Sequence, residues 1–452
     1  MSAQTPKATS AVIVGLGRTG LSCARYLRER GWRLAVTDTR PEPPQLAALR
    51  ALDPKIPVRL GALDARLLEH ALCVVVSPGV SLDEPFFTEA RRRGLEIVGD
   101  IELFARAVDA PVAGITGTNG KSTVTTLLGR MAARAGVKVR VGGNLGEPAL
   151  DLLGSAHRAG ETVGLYVLEL SSFQLEVTHS LDLAAAAVLN VSPDHLDRYA
   201  SVAAYADAKA RIFARCDTAV INLDDPLVVA MPKPGQRTLS FSLRATIGAD
   251  YAVSIHDGGS WLTRRGEPLL RLSAMRIRGL HNATNALAAL ALGEAVSLPL
   301  PAMLAELESF TGLPHRTQWV AEVAGVTYID DSKGTNVGAT IAAVAGMEGP
   351  LVVIAGGDGK NQDFAPLAAA FRGKVRHSVL IGRDGRLVGQ AVRGVCTTEY
   401  CATLEEAVRA AAAAARAGDT VLLSPACASL DMFRDYTHRG AVFARAVEEL
   451  AA

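Results

Sequence analysis

The sequence predicts an α/β protein of three successive units, on three observations. Short apolar runs alternate with longer amphipathic stretches along almost all of the 452 residues. Many of those runs are apolar at every position, as strands of a parallel sheet are when helices cover both faces. Glycine-rich turns recur directly after such runs, where a strand hands over to a helix. At about 100–200 residues per domain, this length accommodates two to four domains.

The runs at 11–14, 34–37, 73–76, 112–116, 165–168, 187–189 and 218–222 read as buried strands, as do 326–329, 351–354, 378–381 and 420–423. Helical patterns separate most of them, for example 21–30, 122–135 and 403–417. Around 240–275 the pattern changes. The runs 239–242, 252–255 and 269–272 are short and separated by turn residues such as Asp257-Gly258-Gly259, which predicts an antiparallel patch. Phosphate-loop chemistry begins afresh after Asp109-Ala110-Pro111, which places one boundary near residue 107, and another falls near Thr311-Gly312-Leu313-Pro314. The expected layout is an N-terminal Rossmann-like domain over 1–106, a central P-loop ATPase-like domain over 107–313 with the antiparallel patch, and a C-terminal Rossmann-like domain over 314–452.

Hydrophobic residues make up 49% and charged residues 21%, which excludes a disordered or collagen-like chain. Lys plus Arg number 47 against 46 Asp plus Glu, a net charge of +1, so no broad electrostatic footprint for nucleic acid exists. The six cysteines lack CxxC spacing and fit reduced thiols in a cytoplasmic protein. The polar start, Met1 to Ser10, does not read as a signal peptide, and the most apolar runs are too short or too charge-interrupted to cross a bilayer.

Two loops carry phosphate chemistry. Gly15-Leu16-Gly17-Arg18-Thr19-Gly20 follows a strand and opens a helix, with Asp38 at the end of the next strand. Its glycines allow a tight turn and close approach of a diphosphate to the helix N-terminus, and Asp38 is placed to accept from a hydroxyl. Alone it suggests NAD; packing of a tight turn is the plainer reading. Gly117-Thr118-Asn119-Gly120-Lys121-Ser122-Thr123 is more specific. Backbone N–H groups would wrap phosphates, Lys121 would reach the β- and γ-phosphates, and Ser122 would ligate Mg²⁺. It departs from the usual spacing, because Ile115 stands where the first glycine belongs. Two nucleotide loops suit a ligase or transferase that joins an ATP-driven step to a nucleotide-tagged substrate better than a hydride-transfer enzyme or a motor.

Glu169, at a strand end after the phosphate loop, is placed to bind Mg²⁺; the alternative is a solvated Glu169 beside a helix cap at Ser171 or Ser172. Asp194, His195 and Asp197 stand at another strand exit. Lys209 reads from spacing as an ordinary solvated helix lysine. In the last unit, Asp331-Ser332-Lys333-Gly334-Thr335-Asn336, Gly356-Gly357-Asp358-Gly359-Lys360 and Ser424-Pro425-Ala426-Cys427-Ala428-Ser429 each follow a strand. Lys333 and Lys360 bring positive charge and Thr335 and Ser429 bring hydroxyls, a set that suits a small dicarboxylate.

Together with His281-Asn282-Ala283-Thr284-Asn285 and His315-Arg316, these strings, in order from residue 12 to about 436, resemble the Mur ligase family, and within it the glutamate-adding members. The resemblance implies an ADP-forming amide ligase of peptidoglycan precursor synthesis. It would add D-glutamate to UDP-N-acetylmuramoyl-L-alanine with ATP and Mg²⁺. Arg18, Thr19, Asp38, Thr39, Arg40, Gly79 and Asn144 would hold the UDP-sugar. Asn285, Arg316 and Asp331 would complete the ATP site around residues 117–123. Ser122, Glu169, His195 and Lys209 would hold metal, Lys209 as a carbamate formed with CO₂. Lys333, Thr335, Lys360, Ser429 and Tyr436 would hold glutamate, with Tyr436 where the family often has Phe. L-glutamate addition is the near alternative and an NAD-dependent oxidoreductase the distant one. The expected partners are small molecules alone, with neither nucleic acid nor membrane, and the expected assembly is a monomer.

Overall fold

The structure, a computed structural model, describes residues 10–244, 248–277, 279–347 and 349–451. Of the polar start read above, residues 1–9 lie outside the described residues. Three sheets follow one another along the chain. The first has five parallel strands in the order Val58–Leu60, Arg33–Asp38, Ser10–Val14, Cys73–Val76, Glu96–Val98. The chain reverses its winding direction at Ser10–Val14, which opens a crevice at the carboxyl ends of that strand and Cys73–Val76.

The second sheet has nine strands. Val139–Gly143, Leu165–Glu169, Val112–Thr116, Leu183–Val188, Cys216–Asn222 and Arg237–Ser242 are parallel neighbours in that order. Tyr251–His256 pairs parallel with the last of these, and only then does an antiparallel meander through Gly259–Arg264 and Glu267–Arg271 begin. This corrects the expectation for 239–242, which belongs to the parallel part. Leu239 and Phe241 are buried in the core with residues of the helix Leu280–Ala295, as an interior strand requires, whereas Ile255 in the meander is exposed. The run 269–272 ends early, because Leu272–Ala274 forms a 3₁₀ turn.

The third sheet has six strands in the order Gln318–Val323, Val326–Asp330, Thr420–Leu423, Leu351–Gly356, Val375–Ile381, Thr397–Tyr400. It is parallel except for the Gln318–Val323 edge, a hairpin partner of Val326–Asp330.

The cores are shared unequally. One apolar cluster contains Ile13, Val75 and Phe104 of the first unit together with Tyr166, Leu168 and Leu183 of the second. Phe104 and Tyr166 meet edge to face with ring centres 5.2 Å apart. The third unit packs around clusters of its own. Among the described residues, no helix is long and apolar enough to cross a membrane.

Candidate active site

The strand Val112–Thr116 is fully buried and delivers the chain to the helix Lys121–Arg134 through the glycine loop. Gly120 has φ +86°, and a methyl group there would overlap Asn285 Oδ1, so glycine is required on two counts. The loop is held by the neighbouring strand exit: Asn119 N donates to Asn190 Oδ1 at 2.8 Å, Thr118 N donates to Asn190 O, and Ser192 N donates to Thr118 Oγ1. Lys121 Nζ folds back on its own loop, donating to Gly117 O and Thr118 O, both at 2.8 Å. Burial pulls its pKa below the ordinary lysine value.

Glu169 is buried, not solvated. Ser122 Oγ donates to its Oε2 at 2.6 Å and Asn144 Nδ2 to its Oε1 at 2.8 Å. Its pKa is lowered overall: desolvation pushes it up, and the charge of Lys121 with the two hydrogen bonds outweighs that. The predicted cap is present too. Ser171 forms a capping box with Gln174 at the start of Ser172–Glu176. The cap of the second reading is therefore present, without the solvated Glu169 that went with it.

His195 sits at φ +54° in the loop after Leu183–Val188, edge-on to Phe173 with ring centres 5.0 Å apart. Desolvation lowers its pKa.

Lys209 departs from its sequence reading. It is 1% exposed, its Nζ donates to Gly117 O at 3.0 Å, and it lies 4.3 Å from the Tyr205 ring centre. Desolvation first, and the charge of Lys121 second, push its pKa well below the ordinary value. The helix Val202–Ala210 turns this lysine inward because Tyr205 lies one turn earlier on the same buried face.

The third unit reaches the loop from the other side. Arg316 Nη2 donates to Ser122 Oγ at 2.6 Å. Asp331 is buried, accepts from Ser424 Oγ (2.8 Å) and Thr317 N (3.1 Å), and is pushed by burial up to about 7. Lys360 Nζ donates to Asp194 Oδ1 at 2.9 Å, and Asn336 touches both Asp194 and Asn119. Lys333 Nζ lies 4.2 Å from the Tyr436 ring centre, and burial lowers its pKa to about 8. Thr335 N donates to Lys333 O, Ser429 is buried nearby in sequence to the Cys427 turn, and Tyr436 O accepts from Ser332 Oγ. Asp194 and Asn336 were not placed among the site residues by sequence. Their signal was position alone, each at a strand exit.

In the first unit, Arg18, Thr19, Thr39, Arg40 and Gly79 follow the strand ends at the crevice, all exposed except the partly covered Thr19. Asp38 behaves differently from its reading as a free hydroxyl acceptor. One of its oxygens accepts from Arg40 N and Nε, the other from Leu16 N (2.6 Å) and Arg40 Nη2 (2.7 Å), which fills its lone pairs. It fixes Arg40 and the glycine turn. Asn144 stands apart from this group on the second unit, bonded to Glu169. Its loop nonetheless receives Arg18, whose Nη2 donates to Gly146 O at 2.8 Å.

A cleft of about 490 Å³ runs between the second and third units, with Gly120, Thr123, Asn285, Arg316, Asp331 and Lys333 in its walls. A larger open groove of about 780 Å³ lies at the opposite strand ends, where Arg215 pairs with Asp182 and Lys233 Nζ donates to Ala214 O. Among the described residues, no three His, Cys, Asp or Glu side chains form a metal cluster by themselves.

Comparison with known proteins agrees with this arrangement. The Mur ligase MurD-like N-terminal domain matches residues 9–99, the Mur ligase middle domain 115–293 and the Mur ligase glutamate ligase domain 315–427. The UDP-N-acetylmuramoylalanine–D-glutamate ligase of Methylococcus capsulatus is 51% identical over 440 residues, 97% of this chain and 95% of the relative. That of Pseudomonas aeruginosa is 51% identical over 444 residues, covering 97% and 98%. The solved UDP-N-acetylmuramate-alanine ligase of Thermotoga maritima shares the fold, with a TM-score of 0.61 at 19% identity over 97% of this chain and 99% of that one. Three family domains in order, and relatives half-identical over nearly the whole length, show that the chain belongs to the Mur ligase family.

Proposed function

We propose that the chain is the ADP-forming ligase that joins D-glutamate to UDP-N-acetylmuramoyl-L-alanine in peptidoglycan precursor synthesis in the cytoplasm. The observation that carries it is the meeting of two sets of polar side chains where the second and third units face each other. Lys121, Ser122 and Glu169 stand on the phosphate loop's side, and Arg316, Lys333 and Lys360 come from the third unit. The choice of D-glutamate rests on the names of relatives at about half identity.

On this reading the UDP-sugar lies on residues 1–106, ATP on 107–313 and glutamate on 314–452. The substrate carboxylate attacks the γ-phosphoryl group of ATP and becomes an acyl phosphate as ADP leaves; the neutral glutamate amine then attacks the acyl carbon, gives up a proton, and phosphate leaves. Lys121 exchanges its two loop carbonyls for phosphate oxygens, and Arg316 neutralises charge from the opposite wall. Lys360 exchanges Asp194 for a carboxylate of the incoming glutamate. Thr335, Ser429 and Tyr436 orient that glutamate. Asn285 and Asp331 complete the nucleotide site.

The donors fit a divalent ion that prefers oxygen ligands: Ser122 Oγ and Glu169 Oε2 already lie side by side. His195 would add a nitrogen, and Lys209 an oxygen once CO₂ converts its amine to a carbamate. Mg²⁺ held there would offset the charge that gathers on the transferring phosphoryl group.

Phosphate release from ATP tests the reading, with UDP-N-acetylmuramoyl-L-alanine and either D- or L-glutamate. Release with D-glutamate alone is expected. Release with L-glutamate alone would keep the mechanism and replace the product, and release with neither would reject the acceptor.

A further inference from the structure

The helix Asp100–Ala105 closes the first unit, and no step above uses it. Its two acidic side chains are buried, Asp100 at 1% and Glu102 at 1% exposure, and both reach into the second unit. Gln174 Nε2 lies 3.1 and 3.4 Å from the two Asp100 carboxylate oxygens. Glu102 accepts from His179 N (2.7 Å), Ser180 N (3.0 Å) and Ser180 Oγ (2.8 Å). Around these polar ties the backbones run close, since a methyl at Gly99 would press on Val177.

Gln174 is the informative partner. Its other atom, Oε1, accepts from Ser171 N at 3.0 Å and Ser171 Oγ at 3.2 Å. Ser171 is two residues beyond Glu169. The same short helix carries Phe173, which walls His195, stacks on Tyr199 and lies under Arg198. One amide thus clamps the first unit to the segment that supports both Glu169 and His195. A substrate gripped at its UDP end by the first unit must deliver its carboxylate to a phosphoryl group on the second. The angle at this joint therefore sets where that carboxylate arrives.

We propose that Asp100 is a positioning residue for the ligation: through Gln174 it fixes the UDP-sugar unit against the turn that carries Glu169 and Phe173. The inference rests on the ligase reading above, which supplies the substrate that spans the joint.

The test reverses the polarity of the bond. In Gln174→Glu two carboxylates face each other, and burial, which already pushes Asp100 up to about 6, leaves little water to shield them. In Asp100→Asn/Gln174→Glu the amide and carboxylate exchange sides, while position 174 still accepts from Ser171. Steady-state phosphate release and thermal melting are measured on the full chain. For Gln174→Glu we expect kcat/KM for the UDP-sugar substrate to fall on the order of tenfold or more, with KM for ATP within about twofold. The double variant should recover most of the loss. Gln174→Met, which lacks both the donor to Asp100 and the acceptor for Ser171 without adding charge, should show the same split and serves if Gln174→Glu does not fold. Parent-like kcat/KM in Gln174→Glu or Gln174→Met, no recovery in the double variant, or a matching rise in KM for ATP would each overturn the proposal. An inactive parent chain would instead overturn the ligase reading itself.

Discussion

Lys209 shows how far burial alone can change what a side chain does. An ammonium does not react with CO₂, whereas a neutral amine does, and desolvation holds this amine well below its ordinary pKa. The sign follows: the unfolded chain binds the proton more tightly, so this contribution to stability is present above the ordinary lysine pKa and is lost as pH falls through the folded value. If Lys209 supports the metal as a carbamate, Lys209→Ala should cost about ten- to a hundredfold in turnover. Added short carboxylic acids should restore part of it in a phosphate-release assay; near-normal activity without rescue would sink the carbamate role. Asp331 works in the opposite sense. Its folded carboxyl is raised to about 7, so its contribution is fully present below about pH 4 and lost as pH rises through about 7. Melting curves of Asp331→Asn between those limits should lack that part of the pH slope; an unchanged slope would contradict it. The sequence made Lys121, Ser122 and Glu169 legible, because a phosphate loop after a strand dictates where they go. Lys209 was not legible by spacing, since its burial depends on a helix docking face that only Tyr205 and the flanking alanines hint at.

At the scale of elements, the parallel strands were read well because each is apolar on both faces. Val139–Gly143 and Gly259–Arg264 escaped the sequence reading, and three further misses share a physical cause. Val58–Leu60, Glu96–Val98 and Thr397–Tyr400 are short edge strands in which exposed residues interrupt the apolar run. The antiparallel edge Gln318–Val323 has no fully buried position either. The segment before it matters more than its polarity suggests. His315 and Thr317 both adopt positive φ, +61° and +50°, on either side of Arg316. Left-handed backbone costs a non-glycine residue about 1 kcal/mol or more, and here it is held by contacts: His315 Nδ1 and Asp330 Oδ2 lie 2.7 Å apart, and His315 N donates to Gln318 Oε1. The helix Tyr436–Ala451 closes over this pair at Gly440, where a methyl group would overlap the imidazole. Gly440→Ala should therefore displace His315, lower stability by about 1–3 kcal/mol as overpacking does, and weaken ATP use through Arg316. A thermal melt and KM for ATP measured together check this; a variant with parent-like values in both would show that the strand and helix do not brace Arg316.

Across the whole molecule, the two junctions between units are built from different materials. The first and second units share an apolar cluster and bury Asp100, Glu102 and Gln174 between them, so separating them would expose core. The third unit meets the second at the cleft through polar side chains: Lys360 on Asp194, Asn336 on Asp194 and Asn119, and Arg316 on Ser122. Each of those partners can exchange its contact for water or for substrate, since a hydrogen bond contributes about 1 kcal/mol between neutral groups and about 1.5–3 kcal/mol to a charged one. We expect a chain that opens at this junction and not at the other. Opening would admit glutamate and ATP, and closing would keep water from an acyl phosphate. Small-angle scattering should then show a larger radius of gyration for the ligand-free chain than for the chain with an ATP analogue and UDP-N-acetylmuramoyl-L-alanine. Asp194→Ala, which removes the acceptor of both Lys360 and Asn336, should enlarge the ligand-free form further while leaving the melting temperature nearly unchanged. The same compact profile in all three samples would mean that the polar junction is as fixed as the apolar one. Glutamate would then have to enter through the cleft as it stands.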